Sequence, residues 1–433
     1  MRSRYLAGAG LLAVLSAQQV IAQSFPFRLP GHSKTIVDID MSSPGANWSK
    51  EGREAALVNL RLESGSEQQI MLYAGEARHR YSAFLGVLSG GDHTLTVERN
   101  QKFSAPGAGL KVHGVHFRIV PERHPDRLLL AHAPILFARA DSVGGFTDIP
   151  LLVYGERFSE KGQTILQYSV VFSNEDGGTA TRKLMARWGR TADIEYVYRV
   201  WLNARGGPAR ATIQGRDHKD VPYDGPREGY HPFLIPMTDN NMVSADGKSP
   251  IRYQIPPIPV DLAGHSRERV MDDHPFTYRV MAQELERELK LRPYGGVLGD
   301  RIADPRNYLY VEAKITSQDS ALAASVRLTG QTAWHSSHLG LPDLAIDRSG
   351  WVRTAIELPP GTKPGDLAEV SFQCLLAPVK PEPKSGLCRI ETVSQAFFLD
   401  QEYRPSKPFW KLDGTISIPA GEMRTFPVNS HNQ

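Results

Sequence analysis

Asp193 and Glu195 stand two residues apart in Thr191-Ala192-Asp193-Ile194-Glu195-Tyr196-Val197-Tyr198, a run whose aromatic and β-branched residues read as a strand. Alternate residues of a strand share a face, so the two carboxylates point the same way, about 7 Å apart at the usual rise per residue. Carboxylates that close repel, so a cation sits between them or one holds a proton. Two carboxyl groups roughly 5 to 9 Å apart across a glycosidic bond form the general acid/base apparatus of glycoside hydrolysis. The plainer reading is a wet sheet face. By the same alternation it also carries Arg199 and Trp201, and Arg199 neutralises the pair.

An acidic turn precedes this strand. Asn174-Glu175-Asp176-Gly177-Gly178-Thr179 has the composition of a hairpin loop, with a double glycine free to adopt positive φ. Its oxygen-rich side chains also suit a divalent cation such as calcium, or sugar hydroxyls, although the spacing is not that of an EF-hand. Asn174, Glu175 and Asp176 are therefore expected at the rim of a site. A third cluster, Gln214 to Asn241, contributes Asp217, His218, His231, Asn240 and Asn241 from loop-rich chain, where function concentrates. Histidines there can carry protons near neutral pH. His218 and His231 are 13 residues apart and match no helical zinc motif. Either could equally be a hydrogen-bonded structural residue. Trp188 and Trp201 offer stacking faces for sugar rings or belong to the core.

Other chemistries lack their signals. The chain has no G-x-S-x-G elbow, no P-loop and no G-x-G-x-x-G, which argues against serine hydrolases, nucleotide enzymes and dinucleotide oxidoreductases. His335-Ser336-Ser337-His338 has no acidic partner nearby in sequence. The 50 basic and 47 acidic residues are scattered, giving a formal charge of +3 without a basic stripe, so nucleic acid is not expected as a partner.

The elements that must position these residues are strands. With 433 residues the chain exceeds what one core supports, so several domains are expected. Residues 1–22 read as a signal peptide: Arg2 and Arg4, an apolar run from Leu6 to Ala22, and Val20-Ile21-Ala22 as the cleavage site. That predicts a secreted or periplasmic protein with no later membrane span. Residues 23–124 alternate with period two and predict a β-sandwich, in which Leu88-Ser89-Gly90-Gly91-Asp92 turns a hairpin. Residues 125–270 form a second β-rich domain with the candidate site. Residues 271–433 add one amphipathic helix, about 272–292, whose Met281, Leu285 and Leu289 make a packing stripe against a sheet. A further β-rich region follows, in which Cys374 and Cys388 pair as a disulfide stapling a proline-rich loop. The fold class is mostly β: a multi-domain β-sandwich architecture with one helix packed on a sheet.

Four segments resemble, in order, a vacuolar-protein-sorting-associated family of fungi and plants: His132 to Leu136, Ile165 to Phe172, Ala192 to Val197 and Gly229 to Leu234. That family has a His-x-Pro opening, a Gln-Tyr strand, an Asp-Trp-Glu-His segment and a His-Pro strand. Here Asp193-Ile194-Glu195-Tyr196 lacks the Trp and the His. The likeness covers about a quarter of the chain. It implies a β-rich fold more than an activity, and singles out Asp193, Glu195 and His231 as a set.

Together these readings predict an exported hydrolase acting on polysaccharide. Asp193 and Glu195 are its acid/base pair, His218 and His231 its proton carriers. Asn174, Glu175, Asp176, Arg199, Trp188 and Asn240 contact substrate. The alternative is a non-catalytic exported β-sandwich protein that binds a glycan or a cell-surface partner.

Overall fold

Period-two alternation becomes strands along most of the chain. The computed structural model describes residues 22–63, 66–175, 177–296, 299–376 and 385–428. The signal-peptide reading and Asp176 fall outside these residues. The architecture is mostly β, with multiple antiparallel sheets and few helices, as expected. Among the described residues no helix is long and apolar enough to cross a membrane.

Between Gln23 and Val120 the strands divide into a four-stranded and a three-stranded sheet, with Val37, Ile39, Leu57, Leu60, Leu95 and Val97 buried in their core. The expected hairpin at Gly90-Gly91 is a corner instead. Strand His79–Leu88 belongs to one sheet and strand Gly91–Arg99 to the other. The corner needs glycine twice. Gly91 has φ 124°, and a Cβ on Gly90 would lie 2.9 Å from the Gly31 Cα.

The middle region is built on a six-stranded sheet. In order across the sheet, its strands are Lys219–Pro222, Pro208–Gly215, Asp193–Leu202, Gln163–Phe172, Pro150–Glu160 and Ile258–Pro259. Leu166, Tyr168, Val170 and Phe172 on one face join the same core as the N-terminal sandwich. On the other face Leu152, Tyr154, Val171 and Ile194 pack with Tyr278, Met281 and Leu285 from a helix and with Tyr310 and Phe397 from the C-terminal region.

Two helical features differ from expectation. The acidic turn does not close a bare hairpin, because the helix Thr181–Trp188 intervenes before the return strand. Arg, Lys, Leu, Met and Ala are good helix formers, and Gly189, at φ 63°, ends the helix with its N–H on the Met185 carbonyl. The helix expected over 272–292 is two, Arg269–Asp273 and Phe276–Arg287, parted at His274-Pro275, where proline can start a helix but not continue one. Its stripe stops at Leu285: Leu289 lies beyond the helix at φ 55° and is 72% exposed.

The C-terminal region is a second sandwich over Leu309, Val311, Val326, Val370, Phe372 and Ile390. Cys374 and Cys388 are bonded and buried within it. They lie on strands of different sheets, Leu367–Leu376 and Leu387–Phe397, so the bond pins sheet to sheet as well as closing a loop. Arg353, wholly buried, joins this sandwich to the helices by ion pairs to Asp272 at 2.7 Å and Glu312 at 2.8 Å.

Candidate functional site

A β-bulge decides where the carboxylates point. Tyr168 pairs with Tyr198, but the next residue, Ser169, pairs with Tyr196, leaving Val197 as the extra residue. Beyond it the alternation reverses. Asp193 and Glu195 therefore share the face of their partners Phe172 and Val170, while Arg199 and Trp201 occupy the opposite face. The expectation that all four share one wet face is corrected. Arg199 lies over the Tyr196 ring and pairs with Gln167 and Asp220, so it neither neutralises the carboxylates nor contacts a substrate beside them.

Asp193 is 2% exposed, at the floor. The Asn241 Nδ2 donates to its Oδ2 at 3.0 Å, and Arg190 lies 3.7 Å from its Oδ1. Asn241 is itself buried at φ 56°, a backbone state that Asn tolerates, with the same Nδ2 3.3 Å from the Asn174 carbonyl. Asn174 belongs to this scaffold. Its Oδ1 accepts from the Asp148 N–H at 2.8 Å and its Nδ2 donates to Thr147 and Glu288, so the rim role expected for it is corrected to a structural one.

Glu195 lies next to the floor at 8% exposure. The Gln214 Nε2 donates to its Oε2 at 2.6 Å and lies 2.8 Å from the His218 Nδ1, which must accept because an amide nitrogen only donates. The His218 Nδ1 is 3.9 Å from the same Glu195 oxygen, and its side chain is 57% exposed. With Nδ1 accepting, the His218 Nε2 carries the ring hydrogen, so the Asn240 Nδ2 3.4 Å away is a neighbour and not its donor. Asp217 and His218 both have positive φ, which turns the chain sharply after the strand Pro208–Gly215. His218 is exposed and Asn240 and Glu175 are half-buried: His218 lies beside Glu195, and Glu175 and Asn240 flank Gly178.

Burial raises all three carboxyl groups, and the Asp193 charge adds to it at Glu195 and Glu175. Burial, then the Asp193 carboxylate, pushes Glu195 up to about 8, against the opposing pull of Arg267, Arg190 and the Gln214 hydrogen bond. The same two causes push Glu175 up to about 7. Burial raises Asp193 as well, opposed by Arg190 and Asn241. With Asp193 carrying its charge, Glu195 favours its neutral form near neutral pH and can then donate as well as accept.

Other expected residues are elsewhere. His231 is buried against Phe84, its Nδ1 donating to the Ala133 carbonyl at 2.8 Å, and burial lowers its proton affinity. It is a structural residue. The ring of Trp188 is covered by the guanidinium groups of Arg187 and Arg348, and that of Trp201 by Arg210 at 3.6 Å, so their expected sugar-stacking faces are taken. Among the described residues no three His, Cys, Asp or Glu side chains converge to hold a metal ion. Gln214, Arg190 and Arg267 were not expected. Only the αL-tolerant Asn-Asn pair at 240–241 hinted at the loop that carries the floor.

No protein-family model matches the chain, and no curated protein matches it. Among solved structures it is similar to "NLPPya in complex with mannosamine" and "NLPPya in complex with glucosamine". Each is 15% identical over 32% of this chain and 75% of that chain, with a TM-score of 0.24. A similarity at that level carries no argument about this chain.

Proposed function

We propose that this is an exported glycan-binding protein whose middle region takes sugar hydroxyls beside Glu175, Glu195, His218 and Asn240. The observation that carries this reading is the Glu195–Gln214–His218 line, whose carboxyl group burial pushes toward its neutral form. A sugar hydroxyl both donates and accepts. A neutral acid, amides and an imidazole answer it in both directions without burying a lone charge. The buried disulfide suits an oxidising compartment.

A second reading, polysaccharide hydrolysis, is favoured by the same protonated Glu195, since a general acid must hold its proton at working pH. Asp193 is too enclosed to flank a glycosidic bond, so Glu175 would be the second carboxylate. One experiment separates the two readings. The mature protein is screened against soluble polysaccharides and oligosaccharides, with and without chelator, for binding by calorimetry and for release of reducing ends. A Glu195→Gln variant keeps a neutral donor and retains binding, but it cannot deliver a proton and would abolish hydrolysis. Absence of binding across the panel in both proteins refutes the glycan assignment.

A further inference from the structure

A cavity of about 850 Å³ opens between the N-terminal sandwich, the middle region and the start of the helix Phe276–Arg287, distinct from the carboxylate site. Its walls are aromatic and aliphatic. Tyr73 and Phe276 stack with ring centroids 5.4 Å apart, and Tyr81 meets Tyr73 edge-on at 5.1 Å. Ile255-Pro256-Pro257-Ile258-Pro259 forms another wall, and its prolines carry no amide hydrogens, so even the main chain there offers few donors. The exposed lining residues Arg80 and Arg118 are engaged by Asp40 at 2.9 Å and Asp38 at 2.6 Å, while Asp126 lies 3.6 Å from His124. Each of these charged groups has an ion partner within the protein, although Asp40 is shared between Arg80 and Arg78. Tyr253 also lines the cavity, is 2% exposed, and has a hydroxyl that is buried without a hydrogen-bond partner among the described residues. Such a group costs stability unless something accepts from it.

We infer that this cavity is a second ligand site, which takes a neutral, flat, largely apolar small molecule carrying one hydrogen-bond acceptor, bound between the aromatic and proline walls and accepting from the Tyr253 hydroxyl. The volume is that of a small-molecule site, and the proline wall is rigid enough to be formed in advance of binding.

Nile red, a neutral polycyclic dye with a ring carbonyl, is the probe. Titrated into the full mature chain, it is expected to bind saturably at one site with blue-shifted emission. Ile255→Trp, which pushes a larger ring into the cavity from its proline wall, weakens binding at least tenfold, Tyr253→Phe weakens it about fivefold through loss of one hydrogen bond, and Glu195→Gln leaves it unchanged. Hydrogen exchange on the wild-type protein needs no variant: the dye slows exchange around residues 79–83 and 253–255. Non-saturable binding overturns the inference. So does wild-type affinity in a folded Ile255→Trp protein, or protection that falls elsewhere or nowhere, which also decides the matter if that variant fails to fold.

Discussion

Gln214 donates to Glu195 at 2.6 Å from the nitrogen that also faces His218, so one amide ties a buried carboxyl group to an exposed imidazole. Gln214→Leu keeps the volume and removes the donor. Glycan affinity is expected to fall about tenfold, the order of loss when a buried acceptor is left unpaired. The Glu195 carboxyl, deprived of a bond that favours its charged form, titrates higher than in the wild type. Carbon-detected NMR of labelled glutamate reads both.

The raised carboxyl groups make stability fall with pH. Burial and the Asp193 charge lift Glu195 from the ordinary 4.5 to about 8, and Glu175 to about 7. Between 4.5 and those values the folded protein binds more protons than the unfolded chain, so unfolding becomes easier as pH rises across that window and levels off above about 8. Tm measured from pH 7 to pH 9, above the range in which the depressed His79, His132 and His231 oppose the trend, is expected to decline. In Glu195→Gln the part of the decline above pH 7 flattens. A Tm that rises over this range contradicts the assignment.

Arg353 is the buried joint between helices and C-terminal sandwich, paired with Asp272 and Glu312. Arg353→Met leaves two carboxylates buried without their cation, a loss of about 3–5 kcal/mol that chemical denaturation detects. Glu312→Gln is milder, because Asp272 still holds the guanidinium.

The Cys374–Cys388 bond closes a loop of 14 residues and pins two sheets. Replacing both cysteines with alanine is expected to cost about 2–4 kcal/mol, mainly through the freedom regained by the unfolded chain. Denaturation with and without reductant measures it, and glycan binding in the middle region is unchanged.

Most of the strands, the mostly-β class and the pairing of the cysteines were legible because alternation and spacing are local signals; which strands share a sheet was not, as the corner at Gly90-Gly91 shows. The site was half legible. Asp193, Glu195, Glu175, His218 and Asn240 were picked out by residue type, but their surroundings were not. One bulged residue, Val197, reversed the face of the strand, moving the two carboxylates away from Arg199 and into the core. A bulge is set by how two strands register, which no run of residues announces. His231, Trp188 and Trp201 have chemistry-bearing side chains, yet Ala133, Arg348 and Arg210 occupy them; Ala133 and Arg348 come from distant chain, and Arg210 from the neighbouring strand through a register the sequence does not announce.

The most direct test of the central claim is calorimetry of the glycan found in the panel screen, at pH 6.5 and pH 9.5, with wild type, Glu195→Gln and Glu195→Ala. A neutral Glu195 that hydrogen-bonds the sugar predicts wild-type binding that weakens at the higher pH. Glu195→Gln should bind at both pH values, and Glu195→Ala should be weakened at both. Wild-type binding that strengthens at pH 9.5, and is lost in Glu195→Gln, would contradict it and mark the cluster as a site that works through its negative charge.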